Sequence, residues 1–401
     1  MRGAVYDFCG TPQMQTSPLL SDSVLTDLSR RASAPWRPLS EACILQDGSQ
    51  AFPVMLDLIA GARKSVWFEN FIFAGDRTGR RFAGAMGAAA RRGVEVRVLY
   101  DPIGTMMVKG GSAARELARQ DVRARSFRPV SLLSPGTWPR LRHRDHRKTM
   151  VVDGEVAVVG GLCISDNWAG HDEGGHNWRD TALMVRGSVV GDVEIAFDAM
   201  WSRADGEDLP APAVHSASCP GMPCGLVAAD QPGAHHVAEI YIRLAVEARQ
   251  SLDITDAYLV TPEPVVAAVE SAARRGVRVR FLLPGNNNHP FASASARRRY
   301  ARLMAAGVRI YEWRGMMVHA KTAVADAQMT LVGSSNLDPL SMTRNYELNL
   351  LVADPATGER MREMFERDLD GAREIVPAEW DRRPLWQKAA ETAAGLFDGN
   401  L

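Results

Sequence analysis

HAKTAVADAQMTLVGSSNLDPLSMTRNYE, residues 319–347, is the stretch on which the reading of this chain turns. It opens His319-x-Lys321, and Asp326 follows after the four residues Thr322 to Ala325. Those four and the alternating run beyond Asp326 read as two short strands joined by a tight turn. A strand's period of two directs His319 and Lys321 to one face. Gly333, Ser334 and Asn336 come after the second strand, and Glu347 closes the stretch. An imidazole, an ammonium, an amide and a carboxylate gathered in one place suit an oxyanion, phosphate first among them.

The same spacing recurs earlier. HRKTMVVDGEVAVVGGLCISDNW, residues 146–168, carries His146, Lys148 and Asp153 at the same intervals, with the pair Gly160–Gly161 behind them. Asp180, in NWRDTALMVRG, lies downstream much as Glu347 does. Two unrelated solvated His-x-Lys pairs would not match so far, so the chain uses one device twice. The surroundings repeat as well. A helix over 52–64, the strand SVWFENFIF, the helix RFAGAMGAAARRG stopped by Gly93 and the strand VEVRVLYD precede the first copy. IYIRLAVEARQ, SLDITDAYL, VVAAVESAARRG ending at Gly276, and VRVRFLLPG precede the second. Thr261 and Pro262 read as the cap and first turn of the third of these segments. Strands alternating with helices predict a duplicated α/β fold with a largely parallel sheet and helices on its faces.

The 401 residues suffice for two domains, and an apolar fraction of 46% supports full cores. Lys plus Arg and Asp plus Glu are 47 each, so no global positive field recruits nucleic acid. Five scattered cysteines make no disulfide framework and point to a reducing compartment; Cys219 and Cys224 read as idle linker thiols. No run of about 18 apolar residues suggests a membrane span, and the start, MRGAVYDFCGTPQMQ, lacks a signal-like apolar core. The expected location is cytoplasmic, peripheral at the membrane surface. Residues 1–40 read as an irregular lead-in, and 205–236 as a linker whose His215, His235 and His236 are solvated. Near the end, Leu385, Trp386, Ala389, Ala390, Ala393 and Phe397 outline a short amphipathic helix. It would pack on the second domain or, on the sharper reading, dock into lipid.

Two related halves, each with one His-x-Lys, predict a single site at a pseudo-twofold interface. One neutral imidazole attacks phosphorus and forms a phosphohistidine, while the other, protonated, serves the leaving oxygen. Lys148 and Lys321 hold nonbridging oxygens, with Ser334 and Asn336 adding hydrogen bonds. Asp180 and Glu347 accept the proton on each imidazole's other nitrogen. Asp153 and Asp326 hold their turns. The scheme calls for no cofactor and no metal.

These residues resemble the phospholipase D superfamily, whose H-x-K-x4-D signature is met by His146-Lys148-Asp153 and His319-Lys321-Asp326. ENFIF, ARRGVEVRVLYD, HRKTMVVDGEVAVVGGLCIS, EWRGMMVHAKTAVAD, VGSSNLDPLS, NYELNLLV and RRPLWQKAAE are similar to bacterial cardiolipin synthases, most of all the branch without amino-terminal membrane helices. The likeness runs over roughly residues 44–395. It implies two duplicated phospholipase D-like α-β-α sandwich domains, 41–204 and 237–401, with one active site between them. It also implies transfer of a phosphatidyl group from one phospholipid to phosphatidylglycerol or a related alcohol, with His146 as the nucleophile. The implied partners are phospholipids and a membrane surface, without nucleic acid; oligomeric state is not implied. Three positions depart from the family pattern: Cys163 stands where Asn is usual, Gly161 where the second copy has Ser334, and Ala-Gln follows Asp326. Two other readings stay open: a phosphodiesterase hydrolysing lipid or nucleic acid, its basic runs at 140–148 and 297–299 tracking a backbone, and an inactive anionic-lipid-binding protein.

Overall fold

The structure is a computed structural model describing residues 18–106, 114–120, 122–130, 134–207, 221–287, 290–384, 386–388 and 391. The first half contributes β1 (Arg37–Gln46), β2 (Ser65–Asn70), β3 (Glu95–Tyr100), β4 (Arg123–Ser126), β5 (Lys148–Val152), β6 (Val156–Gly160) and β7 (Thr181–Gly187). The second contributes β8 (Cys224–Asp230), β9 (Ser251–Thr255), β10 (Arg278–Pro284), β11 (Arg309–Trp313), β12 (Thr322–Ala325), β13 (Met329–Gly333), β14 (Glu347–Ala353) and β15 (Ala372–Glu374). Hydrogen bonding links them in the order β4-β3-β2-β5-β6-β7-β1-β8-β14-β13-β12-β9-β10-β11-β15. The β1–β8 junction is the centre of a near-symmetric arrangement, so the sequence repeat is a structural repeat.

The sheet is mixed, which corrects the expectation of a largely parallel one. Only β2, β3 and β4, and likewise β9, β10 and β11, run parallel. Each motif opens a hairpin instead, β5–β6 and β12–β13, and a two-strand hairpin is antiparallel by construction. Asp326 and Ala327 at its tip have φ of 50° and 53°, and Asp153 and Gly154 have 57° and 69°. These left-handed pairs are what a tight hairpin turn of matching twist requires. Asp153 and Asp326 also anchor the tips. The first accepts N–H bonds of 2.7–3.1 Å from Arg63, Lys64 and Ser65, and the second accepts 2.8–2.9 Å bonds from Arg249, Gln250 and Ser251.

Helices cover the outer faces, Asp47–Gly61 and Arg77–Arg91 on one half, His236–Glu247 and Glu263–Arg274 on the other. Gly93 and Gly276, at φ of 89° and 93°, end a helix in each half. On the inner side β6 and β7 lie against β13 and β14, flanked by helices Val189–Arg203 and Pro355–Asp370. Val151, Val159 and Leu183 share one apolar cluster there with Val332, Leu348 and Leu350. Each such side chain contributes up to about 1.5–3 kcal/mol by leaving water. This seam joins the halves more strongly than any single ion pair across it.

Three other expectations need correction. The lead-in contains a helix, Asp22–Ala32, whose Val24, Leu28 and Ala32 are buried against helix His236–Glu247 of the second half. Its apolar stripe is one residue wide per turn, too thin to stand out among Asp, Ser and Arg. The linker contains β8, the strand that joins the halves; its Gly and Ala read as loop, yet CGLVAAD is almost wholly buried. Within it, Cys224 is buried, and His235 and His236 face backbone carbonyls of Met342 and Arg31 at 3.1 and 2.7 Å; Cys219 and His215 lie outside the described residues. Thr261 caps no helix, because its hydroxyl donates to Leu337 O at 3.3 Å. Of the terminal amphipathic segment only Trp386 to Lys388 and Glu391 are described, so most of that expectation lies outside them.

Candidate active site

Two short backbone bridges decide the geometry. Asp145 pairs with Tyr346 and Arg179 with Val318, each time one residue from the motif. His146 N donates to Tyr346 O at 2.9 Å, and His319 N donates to Arg179 O at 2.7 Å. Each motif histidine is thereby held beside the opposite half's strand, at the residue preceding that strand's carboxylate.

The side chains follow the backbone. His146 Nδ1 lies 2.9 Å from Glu347 Oε1, and His319 Nδ1 lies 2.8 Å from Asp180 Oδ2. Both carboxylates are fully buried, and both imidazoles nearly so. Each histidine is thus paired with a carboxylate from the other copy, a crossing that the order of residues along the chain does not reveal. Lys148 opens β5 and Lys321 directly precedes β12, each two residues after its histidine, and each ammonium donates to the carbonyl oxygen of its own histidine. The eight residues expected to form the site fall into these two facing sets, with Ser334 and Asn336 beside the second lysine's hairpin.

Burial sets the charges. It holds both imidazoles below their ordinary range, His319 at about 3, with the neighbouring lysines acting in the same direction. It pushes Glu347 up to about 7 and, with Lys148 close by, pulls Lys321 down to about 8. For Asp180 burial acts upward but is overcome by the His319 hydrogen bond and the positive charges around it, leaving the carboxyl below its usual value. Near neutral pH the histidines are therefore neutral and Asp180 ionised, while Glu347 is partly protonated.

The two halves orient their carboxylates differently. Ser334 donates its hydroxyl to Glu347 and accepts the Leu348 N–H at 3.0 Å. That hydroxyl thereby ties Glu347 to the end of β13. Asn336 Nδ2 reaches Ser341 Oγ at 3.4 Å, and its buried Oδ1 has no partner among the described residues. In the first half Gly161 stands in place of the serine, and Trp168 Nε1 donates to Asp180 Oδ2 at 2.8 Å instead. Trp168 comes from the connection between β6 and β7, which is longer than that between β13 and β14. A Cβ on Gly161 would lie 2.3 Å from Asp180 Oδ1. Gly161→Ser, which copies the second half, should displace that carboxylate and lower turnover about 10²-fold, the cost of an ångström-scale misplacement. Measuring kcat together with the thermal midpoint tests this. A fall in kcat at unchanged stability is expected.

Cys163 occupies the place matching Asn336 and is buried; burial pushes its thiol up to about 11, so it sits there as a neutral group. Three neighbours of the histidines and one of Lys321 escaped the sequence reading. Phe71 meets His146 edge-on at 4.8 Å, and Trp168 and Trp178 flank His319 at 5.2 and 6.0 Å. Asp256, fully buried near Lys321, accepts the N–H groups of Tyr258 and Leu337 at 2.8 and 3.1 Å. Asn70 fills the equivalent position at the end of β2. Aligning SVWFEN with SLDITD would have paired Asn70 with Asp256; the aromatic residues carry no such signal.

The chain matches the family model described as cardiolipin synthase, PLD-like domain, over residues 55–201 and again over 241–369. A cardiolipin synthase of Clostridium perfringens strain SM101 is 31% identical over 363 residues, covering 87% of this chain and 75% of that protein. One from Staphylococcus aureus strain Mu50 is 28% identical over 360 residues, covering 88% and 72%. Among solved structures, phosphatidylserine synthase of Haemophilus influenzae Rd KW20 superposes with a TM-score of 0.74 at 14% identity, over 94% of this chain and 99% of that one. Polyphosphate kinase of Porphyromonas gingivalis gives 0.54 at 14% identity, over 87% and 52%. Those two structures speak for the fold alone. With the family model matched twice and the sequence likeness running through both motifs, the chain belongs to the cardiolipin synthase group of phospholipase D-like proteins.

Proposed function

We propose that the protein is a phosphatidyltransferase that makes cardiolipin through a phosphohistidine, using both halves at one site. The observation that carries this reading is the crossed pair of histidine–carboxylate contacts, with a lysine beside each. His146 Nε2 attacks phosphorus of a bound phosphatidylglycerol. The bond from phosphorus to the glycerol oxygen breaks, and His319 gives that oxygen its proton. In the second step His319 takes the proton of a second phosphatidylglycerol's hydroxyl. That oxygen attacks phosphorus, the P–N bond breaks, and His146 is restored. Glu347 and Asp180 accept the Nδ1–H of their histidines and stabilise positive charge there. Lys148 and Lys321 meet the nonbridging oxygens, and Ser334 acts by positioning Glu347. The membrane supplies the substrate, so the protein works at its surface. Incubation with phosphatidylglycerol should give cardiolipin and glycerol in equal amounts by mass spectrometry. Phosphatidic acid as the only lipid product would support hydrolysis instead.

The charges described above set a pH profile. The two-step reaction needs one proton across the histidine pairs, on the acid and not on the nucleophile. Glu347, at about 7, holds that proton before the anionic phosphodiester enters, and it passes to His319 on substrate binding, so the proton count of the two pairs is unchanged. Since kcat/KM follows the proton count of the free enzyme, it should hold below about pH 7 and fall above it. The fall should steepen past about 8, where Lys321 loses its charge. The check is kcat/KM on a monomeric short-chain phosphodiester between pH 5 and 9. A rate that climbs through pH 7 would contradict this proton inventory. Lys321→Arg should remove the second, steeper phase.

A further inference from the structure

Both histidines are nearly buried, yet the segments that lead to the site's residues carry exposed apolar side chains. Met106 is 71% exposed, Trp138 50%, Leu141 51% and Met316 53%. All four sit on segments tied directly to the catalytic groups. Met106 ends the short helix Pro102–Met106, whose Gly104 is packed against Phe71, the residue edge-on to His146. Trp138 and Leu141 lie on the turn that leads into His146. That turn is fastened by Arg144, which bonds both oxygens of Asp101 at 2.8 Å just before the same short helix. Met316 occupies the corresponding place before His319, next to Met317, whose carbonyl accepts the Arg179 N–H.

Three of these side chains lie on segments whose own charges are of one sign. Segments 134–144 and 313–318 contain no Asp or Glu, and Arg142 and Arg314 in them are exposed. An apolar tip set with arginines matches the interface of an anionic bilayer, where apolar side chains enter the headgroup–acyl boundary and arginines meet phosphates. Among the described residues no helix is long and apolar enough to cross a membrane. A soluble protein partner would have no need to approach at the mouth of a phosphodiester site.

We infer that Met106, Trp138, Leu141 and Met316 form a membrane-docking rim that seats the site mouth on an anionic lipid surface. The inference rests on the functional reading above and names how that site meets its substrate. Docking at the rim lets a lipid headgroup rise into the site while its chains remain in the bilayer. The bilayer anchor is then the catalytic mouth, not the carboxy-terminal segment with its 70% exposed Trp386.

The test uses the full chain with Met106, Trp138, Leu141 and Met316 all changed to Ser. Sedimentation with vesicles of equal parts phosphatidylglycerol and phosphatidylcholine should weaken at least tenfold, and cardiolipin formation on those vesicles should fall with it. Turnover of a monomeric short-chain phosphatidylglycerol should stay within about twofold, which also certifies the fold. Unchanged vesicle binding by the quadruple variant would overturn the rim. So would loss of binding on truncation after Pro384 with the rim intact. If the wild-type protein binds vesicles through the rim but turns over neither substrate, the functional reading fails while the docking surface stands.

Discussion

His146→Ala and His319→Ala are each expected to lower turnover on phosphatidylglycerol by at least about 10⁴-fold, with the double variant scarcely worse than the worse single one. The reason lies in the crossed contacts. His146 leans on Glu347 of the second half and His319 on Asp180 of the first, so no half contains a complete histidine–carboxylate pair. In the proposed covalent cycle, removing either imidazole stops a sequence that needs both. Two independent sites would leave each single variant with about half the activity, and the double with none. Steady-state rates for the four proteins, compared as free energies, distinguish the schemes without any assumption about role.

The second large effect separates the two roles. If His146 carries the phosphatidyl group, His319 serves only to move protons, and a leaving group that needs no proton bypasses the first of its tasks. Loss of a general acid costs about 10²–10⁴ in rate. His319→Ala should recover most of that on an analogue with a nitrophenol leaving group. The adduct it forms should then persist, because nothing remains to deprotonate the acceptor. His146→Ala should show neither recovery nor adduct. Acid quenching followed by peptide mapping locates the phosphorus, and finding it on His319 would exchange the two assignments.

Much of this site was legible before any coordinates, and the reason is periodicity. His319 and Lys321, or His146 and Lys148, read as sharing a face on a strand's alternation, although the strands begin only at Lys148 and Thr322, and the repeated spacing announces a repeated device. The pairing of His146 with Glu347 was not legible, because it depends on which strand meets which across the two halves. The bond from Ser334 to Glu347 was hidden for a related reason. A hydroxyl beside an oxyanion site reads as a ligand for that oxyanion, and nothing in the sequence shows that Glu347 also receives it. In the fold, β8 was hidden by small residues. The parallel order was over-extended because a βαβ rhythm governs only three strands of each half before the hairpin takes over. Gly161 looked like a loss of a donor; against Asp180 it is the residue that leaves the carboxylate room.

Arg179 gives the crossing a mechanical meaning. Its backbone carries the bridge to His319, while its guanidinium grips Asp368 of helix Pro355–Asp370 at 2.7–2.9 Å. One residue thus ties the alignment of the His319–Asp180 pair to a helix far along the chain. Catalytic competence becomes a gauge of how well the two halves are seated. A slight slip along the seam would misalign both pairs together, silencing the enzyme while every strand stays folded. Substitutions at Asp368 or along the inner apolar faces should then surface as losses of rate before they surface as losses of stability, much as a misaligned vernier stops reading while the rule itself stays intact.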